Sequence, residues 1–588
     1  MAGASVSGGA GSLSRYLPWL LCGATALGGL ALWSWSGAYW CLAAGLLGGL
    51  LFWQGILDLR QTRHALLRNY PVSGWLRFIL ENFRPEIRQY FLESDTEELP
   101  FSRTQRAMVY QRAKSQNDKR PFGTLIDLYR TDVEWLTHSA RPVEADPTAF
   151  RVRVGGPDCR QPYDCSVLNI SAMSFGALSA NAIQALNRGA KLGGFAHDTG
   201  EGSISTHHRA HGGDLIWQVA SGYFGCRDAQ GRFDPERFAA NAADPQVKMI
   251  EIKLSQGAKP GHGGMLPGAK VSAEIAAARG VPQGVDCISP AAHSAFDSPL
   301  TLIDFICRLR ELSGGKPVGI KLCIGHPWEW FGIAKAIRDT GRGPDFIVVD
   351  GSEGGTGAAP AEFSDHIGMP LRDGLRLVHN TLVGIGWRDR IRVGASGKVV
   401  SAFDIALMRA IGADWCNSAR GFMFALGCIQ SRSCHTDRCP TGVATQDALR
   451  QRALVVPDKA QRVWNFHRHT LEALAELLSA AGLHHPQDLN ADHVMVRVSR
   501  GRSAPMSSIL PTVAPGCLLD GVRMPLDTPK AFMVFWEASR TDVFGYDREA
   551  ADPPPQLPAS FNPPALVAET AGGAAATGRP RAATSQPV

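Results

Sequence analysis

From Tyr16 to Leu57 the chain has no Asp, Glu, Lys, Arg or His at all. Over its 588 residues charge is also scarce, 19% against 45% apolar, and nearly balanced, with 60 basic and 54 acidic side chains. A net +6 spread over such a length is too dilute to argue for a nucleic-acid partner. Nor is there a Gly-x-Gly-x-x-Gly between a strand and a helix, so the usual seat for a pyridine dinucleotide is missing. The thirteen cysteines lack the even count and spacing of a disulfide framework, which suits a reducing compartment. What is present, 63 Gly and 37 Pro among abundant apolar residues, excludes fully disordered and fibrous chains and leaves several hundred residues for a packed core.

The uncharged stretch is about twice the roughly 20 apolar residues that one bilayer crossing needs. It predicts a transmembrane helical hairpin over 16–57, with helices near Leu17–Ser34 and Ala38–Leu57 and a break at Ser36-Gly37. Trp33, Trp35, Tyr39 and Trp40 would mark the far interface, Trp19 and Trp53 the near one. A cleaved signal peptide would have a shorter, single apolar core, and a buried hairpin in a soluble protein would carry a polar outer face. Arg15 before the stretch and Arg60, Arg63 and Arg68 after it place both ends, and the body of the chain, on the cytoplasmic side of the inner membrane.

Beyond the N-terminal segment 1–15 and the hairpin, residues 58–149 read as a helical or irregular arm. Its helically spaced Trp75, Phe78, Ile79, Phe83, Ile87, Tyr90 and Phe91 fit an interfacial helix or a packing arm; Glu81 and Glu86 interrupt the basic face and favour the arm. Residues 150–483 have the composition of a compact enzyme, 484–550 form an extension, and the Pro- and Ala-rich 551–588 reads as a disordered tail.

Within the body, buried-strand runs recur at Leu168–Ala172, Gly194–Asp198, Val247–Leu254, Val285–Ile288, Pro317–Ile324, Asp345–Asp350, Ile391–Ala395 and Ala413–Asn417. Eight such units alternating with helical patterns predict an α/β fold, a closed (β/α)8 TIM barrel; an open doubly wound sheet is the alternative. A barrel places its chemistry at the C-terminal strand ends. Glycines after the last two runs make Gly394, Gly397, Ser418 and Ala419 candidates for holding a cofactor phosphate, and Gly355, Thr356 and Gly357, in the glycine-rich loop after the sixth, are further cofactor-binding candidates. Lys321, at the mouth of the fifth, is placed to sit beside a flavin ring. As tight turns and a solvated lysine, the same residues would have no ligand to hold.

Past the last strand, Cys428, Cys434 and Cys439, followed by Pro440, bring three thiols into twelve residues. That spacing suits an iron–sulfur cluster, and three ligands favour a three-iron one. Zinc with His435 as fourth ligand, or unligated buried thiols, are the other readings. A cluster beside a phosphate site implies electrons passing to an organic cofactor, economically a flavin, from a separate donor.

These residues resemble the FMN-binding synthase domain of glutamate synthase, in a stand-alone, membrane-anchored form. The resemblance covers roughly 167–483 and rests on Ser171-Ala-Met-Ser-Phe-Gly-Ala-Leu-Ser179, Gln256-Gly-Ala-Lys-Pro-Gly261, Gly354-Gly-Thr-Gly-Ala358, and Cys428 through Cys439 to Gln446. It implies FMN and a [3Fe-4S] cluster, and reduction of 2-iminoglutarate, formed from 2-oxoglutarate and ammonia, or of a related imino or oxo acid. It further implies that Lys259 and Gln256 hold the substrate, that Glu201 lies near the reacting carbon, and that the Met173–Ser174 backbone supports the flavin. The family generally has Glu and Gln where this chain has His262 and Met265, which bears on the substrate. Neither a glutaminase domain nor a pyridine-nucleotide subunit is recognised, so ammonia or an amine would come from solution or a partner and electrons from ferredoxin or a separate reductase. A flavin-barrel transferase or isomerase without net redox, and a non-enzymatic membrane electron-transfer or scaffold protein, are the competing functions; the presence of Glu201, Gln256 and Lys259 speaks against the latter.

Overall fold

A computed structural model describes residues 14–96, 99–522, 524–525 and 527–547. The expected disordered tail, 551–588, lies outside the described residues, as does most of the N-terminal segment.

Eight parallel strands close into a barrel: β1 (Leu168–Ile170), β2 (His197–Asp198), β3 (Leu215–Val219), β4 (Val247–Lys253), β5 (Val318–Leu322), β6 (Phe346–Asp350), β7 (Arg392–Ser396) and β8 (Trp415–Ser418). The ring is sealed where Cys416 of β8 pairs with Leu168 of β1. Helices between the strands cover the outside, so strand residues are buried on both faces, as their nearly continuous apolar runs require.

The expected eight strands are present, with one exchanged. Val285–Ile288 is no barrel strand: Cys287–Ile288 pairs antiparallel with Met265–Leu266 in a small hairpin after β4, and Ile288 is 68% exposed. Its place is taken by β3, whose Leu-Ile-Trp-Gln-Val is buried throughout. Two apolar runs of similar length differ only in what covers them, which a period count does not register.

Period-2 alternation puts Gly319 and Lys321 of β5, Phe346 and Asp350 of β6, Gly394 of β7, and Trp415 and Asn417 of β8 on the inner face. Where β6 and β8 begin, away from the mouth, two aromatic rings pack together, Phe346 and Trp415, 5.9 Å apart. Each occupies the space left by a glycine on the neighbouring strand. A Cβ on Gly319 would overlap the Phe346 ring, and one on Gly394 would lie 2.7 Å from the Trp415 indole. Gly394 thus stands against core aromatic packing, and it does not line the cavity at the mouth. Gly394→Ala is expected to destabilise the body by about 1–3 kcal/mol through overpacking, measured by thermal or denaturant unfolding, while flavin affinity of the folded fraction stays unchanged. A selective loss of flavin affinity at unchanged stability would return Gly394 to the phosphate site.

At the N-terminus, α1 (Leu17–Ser36) and α2 (Tyr39–Arg60) form a hairpin through Gly37, left-handed at φ +68°. Both are long and apolar enough to cross a membrane, with 6% and 22% of their most apolar windows buried. Gly29 and Gly45 let the two backbones touch, and Trp19 stacks on Phe52 at 4.9 Å. Asp58, at the end of α2, accepts from Val72 N (2.9 Å) and Trp75 Nε1 (3.0 Å) and so fixes the start of α3 (Gly74–Ile87). The arm continues through α4 (Arg103–Ala113) and then packs on the body. Outside β1, α5 (Ala180–Gly193) lies along the long α6 (Val456–Ala481), which also carries α4; Gly189 admits Val463 at their contact. Strand Glu134–Leu136 of the arm pairs with Val494–Ser499 of the extension, tying both to the barrel's flank.

Candidate active site

The C-terminal ends of the strands surround an open cavity of about 1040 Å³, solvent space at its mouth included. Met173, Ser174, Glu201, Gln256, Lys321, Gly355, Thr356, Gly357, Gly397, Ser418, Ala419 and Cys434 all line it. Residues from eight chain segments therefore meet at one end of the barrel, as loop attachment at that face dictates. Lys259, Gly394, Cys428 and Cys439 do not reach the wall.

At one end of the cavity the loops after β6, β7 and β8 meet. Arg420 donates to the Thr356 carbonyl (2.8 Å) and so bridges the β8 and β6 loops, with Gly355 leaving room for its guanidinium. Lys398 lines the same wall. Two cations among glycine-rich backbone suit a phosphate. Neither cation stands out in the sequence, because a single Arg or Lys after a strand reads as surface charge.

Under the cavity Lys321 lies 3.7 Å from Asp350, whose other contact is the Gly257 N–H at 2.9 Å. Burial works against its charge, but Asp350, Glu251, Asp198 and Glu201 outweigh it and hold Lys321 above the ordinary lysine value. Deeper still, burial and the neighbouring Glu251 push Asp198 well above the carboxylate range, while Gln218 donates to Glu251 at 2.6 Å. The inner face thus keeps a cation directly below the cavity.

At the opposite wall Glu201 pairs with Lys253 at 2.9 Å, and the backbone of Gly264 closes over the carboxylate. Burial alone would raise Glu201, yet Lys253, Lys259 and Arg279 together bring it down to about 2. Burial, with Lys253 nearby, draws Lys259 below the ordinary lysine value against the pull of Glu201; its Nζ donates to the Gly263 carbonyl at 3.4 Å. Arg279 is anchored by the Phe175 carbonyl (3.1 Å) and lies over the Phe224 ring. Three cations face one carboxylate here, so the corner carries a positive excess. Lys253 was findable, at the end of β4 and three residues before Gln256. Arg279 was not, since it reaches the site from a helix end in the excursion after β4.

His262 and Met265, the residues that raised the question of substrate, do not line the cavity. His262 is exposed and lies edge-on to Phe363, and Met265 is 47% exposed in the small hairpin.

The three thiols lie on one loop past β8. The backbone bends toward Cys439: burial raises its pKa, but N–H groups of Ala444, Thr441 and Val443 and the Thr441 hydroxyl outweigh that and favour the thiolate. Burial pushes Cys428 up to about 11, with Cys434 and Cys439 adding to the rise. Buried Lys270 donates to the Cys434 carbonyl at 2.9 Å. A cradled thiolate with two further thiols and a buried cation is a donor set whose chemistry fits an iron–sulfur cluster, although among the described residues no three metal-ligating side chains stand together as a ready-made metal group.

A parallel barrel with a phosphate-suited pocket, a cation under it and a charged substrate corner defines a cofactor-dependent oxidoreductase. The family described as "Conserved region in glutamate synthase" matches residues 160–484, and the chain belongs to that family, whose chemistry is oxidoreduction at the CH–NH2 group. It is 38% identical over 492 residues to the glutamate synthase large subunit-like protein YerD of Bacillus subtilis, covering 77% of this chain and 93% of that one. With the archaeal glutamate synthase (NADPH) of Methanocaldococcus jannaschii identity is 36% over 56% of this chain and 61% of the relative. The glutamate synthase (NADPH) large chain of Bacillus subtilis is 35% identical, but this chain covers 20% of its length. Among solved structures a mutant flavocytochrome b2 with pyruvate bound aligns at 11% identity and a TM-score of 0.38, covering 71% of this chain and 85% of its own, too loose a likeness to argue from.

Proposed function

We propose that the chain is a membrane-anchored glutamate synthase-like enzyme that reduces 2-iminoglutarate, formed from 2-oxoglutarate and ammonia, to glutamate. The observation that carries this is the corner where Lys253, Lys259 and Arg279 surround Glu201 beside Gln256, at one side of a cavity whose other side suits a phosphate. An anionic substrate needs cationic surroundings: Lys253 meets the cavity directly, and Lys259 and Arg279 add positive field behind Glu201.

The cavity fits FMN: Lys398, Arg420, Gly397, Ser418 and Ala419 would take the phosphate, Gly355, Thr356 and Gly357 would flank it, and the Met173–Ser174 backbone and Lys321 would face the ring. FMN held there would supply the hydride that the imine carbon takes up. Cys428, Cys434 and Cys439 would hold a [3Fe-4S] cluster, which would supply a route for electrons from a separate donor, ferredoxin or a reductase. Glu201, held ionised, accepts a hydrogen bond from the imine nitrogen and stabilises its protonated form, the better hydride acceptor. Lys253 binds a substrate carboxylate at the cavity wall, Lys259 adds its charge from behind, and Gln256 orients the carbonyl side. The balance is that ammonia adds and water leaves to form the imine, which gains a hydride and a proton. The hairpin α1–α2 serves as the anchor, with the barrel in the cytoplasm.

Purified protein should carry flavin and iron. Reduced anaerobically, it should be reoxidised by 2-oxoglutarate plus ammonia with glutamate as product, and membranes washed with alkaline carbonate should retain it. Protein with neither flavin nor iron ends the redox reading, reoxidation by a different 2-oxo acid alone ends the substrate assignment, and release into the carbonate wash ends the anchor.

A further inference from the structure

We propose that the arm preceding the family-matched residues is part of the redox site, with Tyr110 and Gln89 acting as positioning residues for Cys428. This rests on the iron–sulfur reading of the Cys loop. The loop needs external support: Gln430, Arg432 and Asp437 are non-glycine residues at φ +59°, +56° and +63°. Such conformations persist only where surrounding contacts enforce them.

The arm supplies those contacts at the loop's first ligand. The Tyr110 hydroxyl, on α4, donates to the Cys428 carbonyl at 2.6 Å, and Gln89 Nε2 donates to the next carbonyl, Ile429, at 2.5 Å. In return the Gln430 amide donates to the Phe101 carbonyl at 3.2 Å. Phe101 and Tyr110 both lie edge-on to Phe424 of the helix after β8, at 5.3 and 6.1 Å, so the arm is packed as well as bonded there. Phe101 also lines the cavity, which makes one arm residue a wall of the cofactor site. A buried ion pair, Arg106–Glu93 at 2.6 Å, fixes α4 to the chain leading from Gln89. The other half of the loop is held from within the barrel domain by Lys270 at Cys434. Cys428 is therefore positioned by residues that lie outside 160–484.

Groups that hydrogen-bond around a metal ligand set its orientation, and losing one typically costs about 10–100-fold in metal affinity. Tyr110→Phe deletes one hydroxyl and keeps the ring on Phe424, so folding should persist. In the full-length holoprotein, Tyr110→Phe and the double variant with Gln89→Ala should release iron to a chelator about 10-fold faster or more, with a shifted cluster midpoint in an EPR-monitored titration. Unchanged release and midpoint in both variants overturn the proposal while the cluster reading stands. If wild-type protein holds no iron, the cluster reading fails on its own. Alkylation of Cys428 then decides whether the arm clamps the loop: faster in Tyr110→Phe supports it, and equal rates overturn it.

Discussion

Lys253→Met is expected to lower kcat/KM of the proposed reaction with 2-oxoglutarate and ammonia by about 10²–10³-fold while leaving flavin bound. Lys253 is 9% exposed and 2.9 Å from Glu201, so methionine removes the nearest countercharge from a buried carboxylate. Breaking such a pair costs more than the pair contributes, because the remaining charge stays buried and unneutralised. Lys259 and Arg279 still act on Glu201, but its pKa should climb from about 2 toward the ordinary carboxylate value. The sign for stability follows. A carboxyl whose folded value lies below its unfolded one contributes stability that is full above about 4.5 and is lost as pH falls toward 2. In Lys253→Met that contribution shrinks, so acid unfolding should begin at higher pH. Glu201→Gln should remove most of the cost to stability, and the double variant should be far from additive. Additive losses in the cycle would mean that the two side chains act separately.

The second large effect is expected at Gly257. A Cβ there would stand 1.7 Å from the Gly351 carbonyl oxygen, a collision of backbone with backbone that no rotamer relieves. Gly257 N–H also donates to Asp350, the partner of Lys321, and its neighbour Gln256 lines the cavity. Gly257→Ala must therefore push the loop after β4 off the β6 mouth, uncoupling Lys321's partner and moving Gln256 at once. Overpacking of this kind costs about 1–3 kcal/mol or more, and a shift of about 1 Å in a substrate-positioning group costs about 100-fold in rate. Gly261→Ala is the control in the same loop: Gly261 has φ +70° and nothing within 4 Å of its Cβ position. It should cost about 1 kcal/mol of backbone strain and leave turnover nearly intact. Equal activity losses in the two variants would place the effect in loop flexibility instead of the contact with Gly351.

Much of the barrel was legible because each strand carries its own record of burial. The runs at Val247–Leu254, Pro317–Ile324 and Asp345–Asp350 contain β4, β5 and β6, and their apolar continuity is what two-sided covering requires. The break at Ser36-Gly37 likewise matches the turn between α1 and α2, since only a glycine takes φ +68° without strain. Failures arose where a local pattern had two meanings. Val285–Ile288 and Leu215–Val219 are both short apolar runs, and Gly394 resembles a loop glycine although it makes room for an indole.

By itself the amino-acid sequence determined the barrel class, the uncharged hairpin, the three-thiol loop and most of the residues now found around one cavity. All of these depend on spacing along the chain: period, charge-free length, glycine after a strand, thiols a few residues apart. Tertiary structure alone decided which run completes the barrel and that Gly394 faces Trp415. It also brought Arg279 and Lys253 to Glu201, and carried Phe101 and Tyr110 of a distant arm to the cavity and the Cys loop. The physical reason is that a segment's pattern records how deeply it is buried, whereas the partner it meets is set by which loops the closed barrel gathers at the same end.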